Sequence, residues 1–201
     1  FNGNEQRGFG TYQVTTRNAR RCSTAVAYLA DAMKRPNLTV VTHAQASRVL
    51  FDHDRAVGVE ARVGRRIQRF EAAREVLLCG GAVNSPQLLL LSGIGPADQL
   101  RRHGIGVRLD VPGVGRNLTD HLDICVLRHC SQPITYDKTN DLFVGLQYYL
   151  TGTGLGTSNV AEAGGFVASK YATDGRPDLQ FHFVPAMLDD HGRNRLPGHG
   201  F

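Results

Sequence analysis

Apolar residues at Ala25, Val26, Tyr28, Leu29, Ala32 and Met33 fall at helical spacing, with Ser23 in front to cap and Pro36-Asn37 behind to stop. This predicts one helix. Residues 38–42, β-branched at Thr39, Val40, Val41 and Thr42, predict a strand. Alternation then takes over: residues 46–51, 56–63 and 66–72 read as three strands, punctuated by Asp52-His53-Asp54 and Gly64. Together they predict a β-meander. Residues 75–79 are different, because Val76-Leu77-Leu78-Cys79 is apolar without alternation, the pattern of a strand buried on both faces inside a parallel sheet. That run ends in Gly80-Gly81-Ala82. A helix over 87–91 follows, with Ser85 as its cap and Pro86 at its first position, and a second helix spans 97–103. Residues 107–111 read as extended and 112–115 as a turn.

After His121 the texture changes. Residues 123–129, 161–168 and 179–184 read as strands, and 141–150 as an amphipathic helix followed by a glycine-rich loop at 152–156. The expected organisation is a first domain over 1–121 and a second over 122–201. The fold class is α/β (α+β): part of an α/β domain carrying the meander, then the start of an antiparallel-sheet domain.

The chain has 201 residues, 41% of them hydrophobic and 20% charged, which excludes a disordered chain. No apolar run approaches the ~18 residues of a membrane-spanning helix. Phe1 in place of an initiator methionine, and an end at Phe201 with no change of composition, read as the middle of a longer protein. The net charge is +5, with the basic excess in the first half. Its densest cluster, Arg62, Arg65, Arg66, Arg69 and Arg74, alternates with Val63, Ile67 and Phe70 as the solvent face of a hairpin does, so no nucleic-acid partner is expected. The four cysteines, Cys22, Cys79, Cys125 and Cys130, form no paired metal-ligand spacing and read as buried reduced thiols. His191 and His199 are eight apart without a third ligand, and no metal is expected.

The one corner with a cofactor-like pattern is Leu77 to Ala82. Ligands of open α/β sheets bind just beyond the carboxyl ends of strands, and glycines there admit a close backbone approach. The following helix would aim its free N–H groups at the same place. Tight strand-to-helix packing explains the two glycines equally well. No G-x-G-x-x-G or P-loop motif occurs, so the chain is not a self-sufficient nucleotide-binding unit. Asp120 and His121 read as a turn, with Asp120 capping backbone N–H groups.

The run Gly81-Ala82-Val83-Asn84-Ser85-Pro86-Gln87-Leu88-Leu89-Leu90-Leu91-Ser92-Gly93-Ile94-Gly95 resembles the second signature of the glucose–methanol–choline (GMC) flavoprotein oxidoreductases. Further segments are similar along the whole chain. They include Phe1-Asn2-Gly3 with Tyr12-Gln13-Val14-Thr15, Pro112-Gly113-Val114-Gly115-Arg116-Asn117-Leu118 with Asp120-His121, and Glu162-Ala163-Gly164-Gly165-Phe166. The resemblance implies an FAD-binding first domain covered by an antiparallel-sheet substrate domain. It implies oxidation of a primary alcohol to an aldehyde by hydride transfer to flavin. The family's Rossmann glycines and catalytic histidine match nothing here, so no catalytic residue is assigned and the isolated chain is expected to be inactive.

By the same resemblance, Ala46 stands where the family has a valine whose backbone meets the adenine end of FAD. Gly80 and Gly81 stand near the ADP moiety. Glu162 matches a carboxylate that faces the trimethylammonium group in choline-oxidising relatives. Val160 and Ala161 replace the polar-plus-aromatic pair expected for choline, and an aromatic wall is what a quaternary ammonium prefers. The expectation is therefore an aliphatic alcohol as small-molecule substrate, with choline oxidation proper, or a non-catalytic basic binding module, as alternatives. The electron acceptor is left unassigned. The expected location is cytoplasmic, with membrane association left open.

Overall fold

The computed structural model describes residues 3–137, 139–190 and 192–201. Phe1 and Asn2 of the resemblance, Lys138 and His191 lie outside the described residues. In chain order the strands are β1 (Gly8–Thr11), β2 (Thr16–Arg17), β3 (Arg20–Arg21), β4 (Ala44–Asp52), β5 (Arg55–Val63), β6 (Arg66–Glu71), β7 (Ile94–Gly95), β8 (Leu109–Asp110), β9 (Ala163–Val167), β10 (Leu179–Phe183), β11 (Leu188–Asp189) and β12 (Asn194–Arg195). The helices are α1 (Ala30–Ala32, continuing a π-helical turn Ala25–Leu29), α2 (Gly81–Leu91), α3 (Ala97–Arg102) and α4 (Asp141–Thr151).

The chain forms two compact units, one of residues 37–122 and one of residues 1–36 with 123–201. The sequence division at 121 and 122 did not anticipate that the N-terminal segment joins the C-terminal part. The cause is strand pairing: β1 lies antiparallel to β9, with Gly8 opposite Phe166 and Thr11 opposite Ala163. Such pairing spans more than 150 positions and leaves no local sequence mark.

Unit 37–122 is organised by the expected meander. β4, β5 and β6 pair antiparallel in that order. Alternation places Val49 and Ala61 inward, where both are buried. Glu60 stands between Arg48 and Arg69 on its two neighbouring strands. Its carboxylate meets Arg48 Nη2 at 2.9 Å and Arg69 Nε at 3.7 Å. α3 buries Ala97 and Leu100, and Asp110 Oδ1 accepts the Ala97 N–H at 2.9 Å to close its first turn. β7 and β8 form a short parallel pair, Ile94 opposite Leu109.

Three expected strands are not in ladders. Residues 38–42, 75–79 and 123–129 pair with no strand among the described residues, beyond a single bridge from His129 to Gly200. β-branched and apolar runs supply side chains for a sheet, but a strand also needs a neighbouring backbone. Their apolar residues are open accordingly: Leu77 is 73% exposed and Ile124 85%. The same openness corrects the cysteine expectation, since Cys79 and Cys125 are exposed and only Cys22 is buried, although all four are free.

α2 starts earlier than expected. Gly81 rather than Pro86 opens it, and Pro86 sits inside, where its missing N–H forgoes one hydrogen bond in the first half of the helix. In the other unit α4 matches its prediction closely. Asn140 Oδ1 accepts the Phe143 N–H at 3.1 Å, and Gly152 ends the helix in the left-handed region at φ 64°.

Candidate functional site

Two clusters, one in each unit, carry the residues picked out by sequence. In unit 37–122 the first is the start of α2. Gly80 precedes the helix at φ −80°, and its N–H donates to Ser85 Oγ at 3.0 Å. Ser85 therefore closes the turn from inside the helix instead of capping it from in front. A Cβ on Gly80 would come within 3.0 Å of the Asn84 Cβ and 3.2 Å of the Ser85 N. Gly80 is thus explained by local packing. Gly81 is not: its φ is +80°, and a Cβ there would meet nothing within 4 Å. The backbone at Gly81 opens to free space at the N-terminus of an eleven-residue helix whose first N–H groups have no intrahelical acceptors.

Ala46 lies half-buried on β4, opposite Ala61, just before an irregularity in the ladder between Ala46 and Arg48. Ser47 fills the irregularity, its hydroxyl 3.0 Å from the Glu60 carbonyl and 3.2 Å from Glu60 Oε1. The Arg48 hydrogen bond, with smaller help from Ser47 and Arg69, holds the Glu60 carboxyl below its ordinary value despite its desolvation. The elements bearing Ala46 and Gly81 are joined, since the Val49 N–H on β4 donates to Ser92 Oγ at the end of α2.

These features fit a dinucleotide cofactor. Gly81 offers an unobstructed backbone approach, and the helix start offers N–H donors for an anionic group.

The second cluster surrounds Glu162, which leads directly into β9. Its carbonyl accepts the Tyr12 N–H at 2.9 Å, anchoring the residue to the sheet. The two glycines that follow are needed by that sheet. A Cβ on Gly164 would collide with Tyr12 Oη and the Phe181 carbonyl, and one on Gly165 with the Phe9 ring and, at 2.6 Å, the Gly8 carbonyl. The Glu-Ala-Gly-Gly-Phe phrase thus has a structural half and an exposed acidic half.

The exposed Glu162 carboxylate is held by hydroxyls. Tyr136 Oη donates to Glu162 Oε1 at 2.9 Å and lies 3.1 Å from Ser158 Oγ. Hydrogen bonds from Ser158 first, and from Tyr136 second, hold the Glu162 carboxyl below its ordinary value. Burial pushes the Tyr136 phenol up, and the neighbouring carboxylate adds to that. Tyr136 is itself fixed at both backbone ends: its N–H donates to the Pro185 carbonyl at 2.8 Å, and Arg195 donates to its own carbonyl. Among the described residues Glu162 forms no ion pair. Tyr136 also lines a cavity of about 260 Å³, together with Asp141, Val144, Leu155, Val160 and Arg195 among others; Glu162 is not one of its lining residues. Val160 occupies the left-handed region at φ 68°, a genuine outlier for a β-branched residue.

The sequence singles out Glu162 but not Tyr136 or Ser158, the hydroxyl residues that surround it in the structure. Ser158 stood four residues away in a loop of small residues. Tyr136 is 26 positions upstream in an irregular segment, with no periodicity to mark it. Asp120 behaves as expected, its Oδ1 accepting the His121 N–H at 2.8 Å. Among the described residues no group of three or more His, Cys, Asp or Glu could hold a metal ion, and no helix is long and apolar enough to cross a membrane.

Residues 1–123 match the family model described as GMC oxidoreductase. The chain is 46% identical over its whole length to the oxygen-dependent choline dehydrogenase of Burkholderia pseudomallei strain 1710b, and 45% identical to that of Pectobacterium atrosepticum. It spans 36% and 37% of those proteins' lengths. Among solved structures, Aspergillus oryzae RIB40 formate oxidase superposes with a TM-score of 0.84 at 23% identity, over 98% of this chain and 39% of that one. Pyridoxine 4-oxidase from Mesorbium loti superposes with a TM-score of 0.75 at 26% identity, over 96% and 35%.

Proposed function

The chain belongs to the GMC oxidoreductase family, and from that premise we propose that it is the part of an FAD-dependent enzyme which oxidises a small primary alcohol bearing a quaternary ammonium group, choline or a close analogue, to the aldehyde. The observation that carries the substrate class is the exposed Glu162 carboxylate, hydrogen-bonded by the Tyr136 hydroxyl and in no ion pair among the described residues. An ionised carboxylate without a protein counter-ion attracts a cationic ligand, and more strongly where water is displaced. The curated relatives at 45–46% identity are named for choline, which supports the same reading.

The aromatic pair expected beside a quaternary ammonium is replaced by Val160 and Ala161, while Tyr136, an aromatic residue, meets Glu162 through its hydroxyl at 2.9 Å. FAD, when bound, takes up the hydride that leaves the alcohol carbon. Gly81 and the first turn of α2 would admit its phosphates, and the β4 backbone at Ala46 its adenine end. The role of this chain's own residues is binding and orientation, with Glu162 holding the ammonium end so that the hydroxyl end is presented to the flavin. The proton-accepting group of the reaction is assigned to no residue of this chain, and the electron acceptor is left open.

A second reading, a neutral aliphatic alcohol, is supported by the apolar side chains Val144, Leu155, Val160 and Leu188 in a cavity whose wall also carries Asp141 and Arg195. The two are separated by presenting the full gene product anaerobically with choline and with 3,3-dimethylbutan-1-ol, its neutral isostere. The proposal expects flavin absorbance to bleach at lower choline than isostere concentration. Equal or better bleaching by the isostere selects the second reading, and a purified product without flavin absorbance rejects both.

A further inference from the structure

Resting on the reading of Glu162 as the ammonium contact, we propose that Tyr136 is a positioning residue whose hydroxyl fixes the Glu162 carboxylate in place, with Ser158 fixing that hydroxyl in turn, and that this fixation sets the preference for cationic over neutral alcohols. The geometry has three parts. The first is the pair of hydroxyls: Tyr136 Oη lies 2.9 Å from Glu162 Oε1 and 3.1 Å from Ser158 Oγ. The phenol has one hydrogen and two acceptors in reach, and the charged carboxylate is the stronger acceptor. An exposed glutamate otherwise samples several rotamers, and a carboxylate that wanders spreads its attraction over many ligand poses.

The second part is the rigidity of the clamp. Tyr136 is pinned through its N–H to the Pro185 carbonyl and through its carbonyl to Arg195. Ser158 is pinned by accepting the Val160 N–H at 2.9 Å. Asn159 closes the same loop, its side-chain amide donating to the Ala161 carbonyl at 2.7 Å and its carbonyl accepting the Ala161 N–H at 2.8 Å. The third part is strain. Val160, between clamp and carboxylate, is held at φ 68°, where a β-branched residue persists only if its surroundings over-determine it. A loop whose only task was to connect the short 3-10 turn Leu155–Thr157 to β9 would place glycine or asparagine there. Instead the strained valine faces the cavity that Tyr136 also lines.

Clamp and carboxylate therefore form one unit whose effect is on binding of the ammonium end and not on the chemical step. The test measures kcat and KM of the full gene product for choline and for 3,3-dimethylbutan-1-ol in Tyr136→Phe, Ser158→Ala, Ser158→Thr and Glu162→Gln. Tyr136→Phe and Ser158→Ala should each lower the choline-to-isostere ratio of kcat/KM by roughly 3- to 10-fold, the net range for losing one ordinary hydrogen bond in the exposed clamp. The loss should appear in the KM for choline, with isostere kinetics within about 2-fold of wild type, a split that general destabilisation would not produce. Ser158→Thr, which keeps the hydroxyl, should keep the ratio. If Glu162→Gln collapses the ratio while Tyr136→Phe and Ser158→Ala leave it unchanged, the positioning role is overturned and the Glu162 reading stands. If Glu162→Gln itself leaves the ratio unchanged, the substrate reading falls and the positioning role falls with it. Ser158→Ala reports on the clamp even if Tyr136→Phe does not fold.

Discussion

The backbone N–H of Val49 donates to the hydroxyl of Ser92 at 2.8 Å, and that hydroxyl donates in turn to the Leu88 carbonyl at 2.6 Å. One serine thereby ties the buried middle of β4 to the end of α2, and so joins the strand bearing Ala46 to the helix opened by Gly81. Ser92→Ala strands the N–H of a residue that is 7% exposed. The expected cost is about 1–3 kcal/mol, read as a lower denaturant midpoint at unchanged slope.

Leu100 is the most deeply buried large side chain among the described residues, at 1% exposure. Leu100→Ala leaves a cavity under α3 and should cost about 2–5 kcal/mol. Calorimetric or denaturant unfolding checks this. A loss under 1 kcal/mol would mean that α3 collapses onto the space.

Glycines separate into those that need to be glycine, such as Gly164, and those that do not, such as Gly145. Gly164→Ala drives a methyl group into the Phe181 carbonyl, which as backbone cannot swing aside, so a loss of about 1–3 kcal/mol and a loosened β1–β9–β10 sheet are expected. Gly145 lies within α4 with nothing within 4 Å of its would-be Cβ. Gly145→Ala should therefore stabilise by about 0.5–1 kcal/mol. Thermal melts of the two variants should move in opposite directions.

The acid limb of stability should depend on Glu60. Its carboxyl is held below the ordinary glutamate value of 4.5, first by the Arg48 hydrogen bond. A group with a depressed folded-state pKa contributes stability that is fully present above its unfolded value and is lost as pH falls through the folded one. The contribution is thus present at neutral pH and disappears below pH 4.5. Glu60→Gln should be less stable than wild type at pH 7, and the gap should close on acidification. A pH series of denaturant midpoints measures this, and a gap that stays constant down to acid pH contradicts it.

Much of this was legible in sequence where the determining contacts are local. The meander could be read because alternation and turn residues at Asp52-His53-Asp54 and Gly64 act within a few positions. α4 could be read because its amphipathic spacing and the glycine-rich loop that follows it are local signals, and Asn140 and Gly152 cap it from its own ends. The runs at 38–42 and 75–79 were read as strands from side chains alone, and no partner backbone lies beside them among the described residues. At the start of α2, Ser85 was taken for a cap because its type and place fit one, whereas its hydroxyl reaches back to Gly80. Glu162 could be picked out by resemblance, but Tyr136 reaches it only through tertiary structure, across 26 positions with no shared element.

The central claim is that Glu162 provides a negative site for a quaternary ammonium group. Its most direct test uses tetramethylammonium, which carries the charge but no hydroxyl to react, titrated calorimetrically into the full gene product and into Glu162→Gln. The account predicts binding to wild type and an affinity lower by roughly 2- to 5-fold in the variant, as for an exposed charge pair. Equal affinities in the two proteins would contradict it.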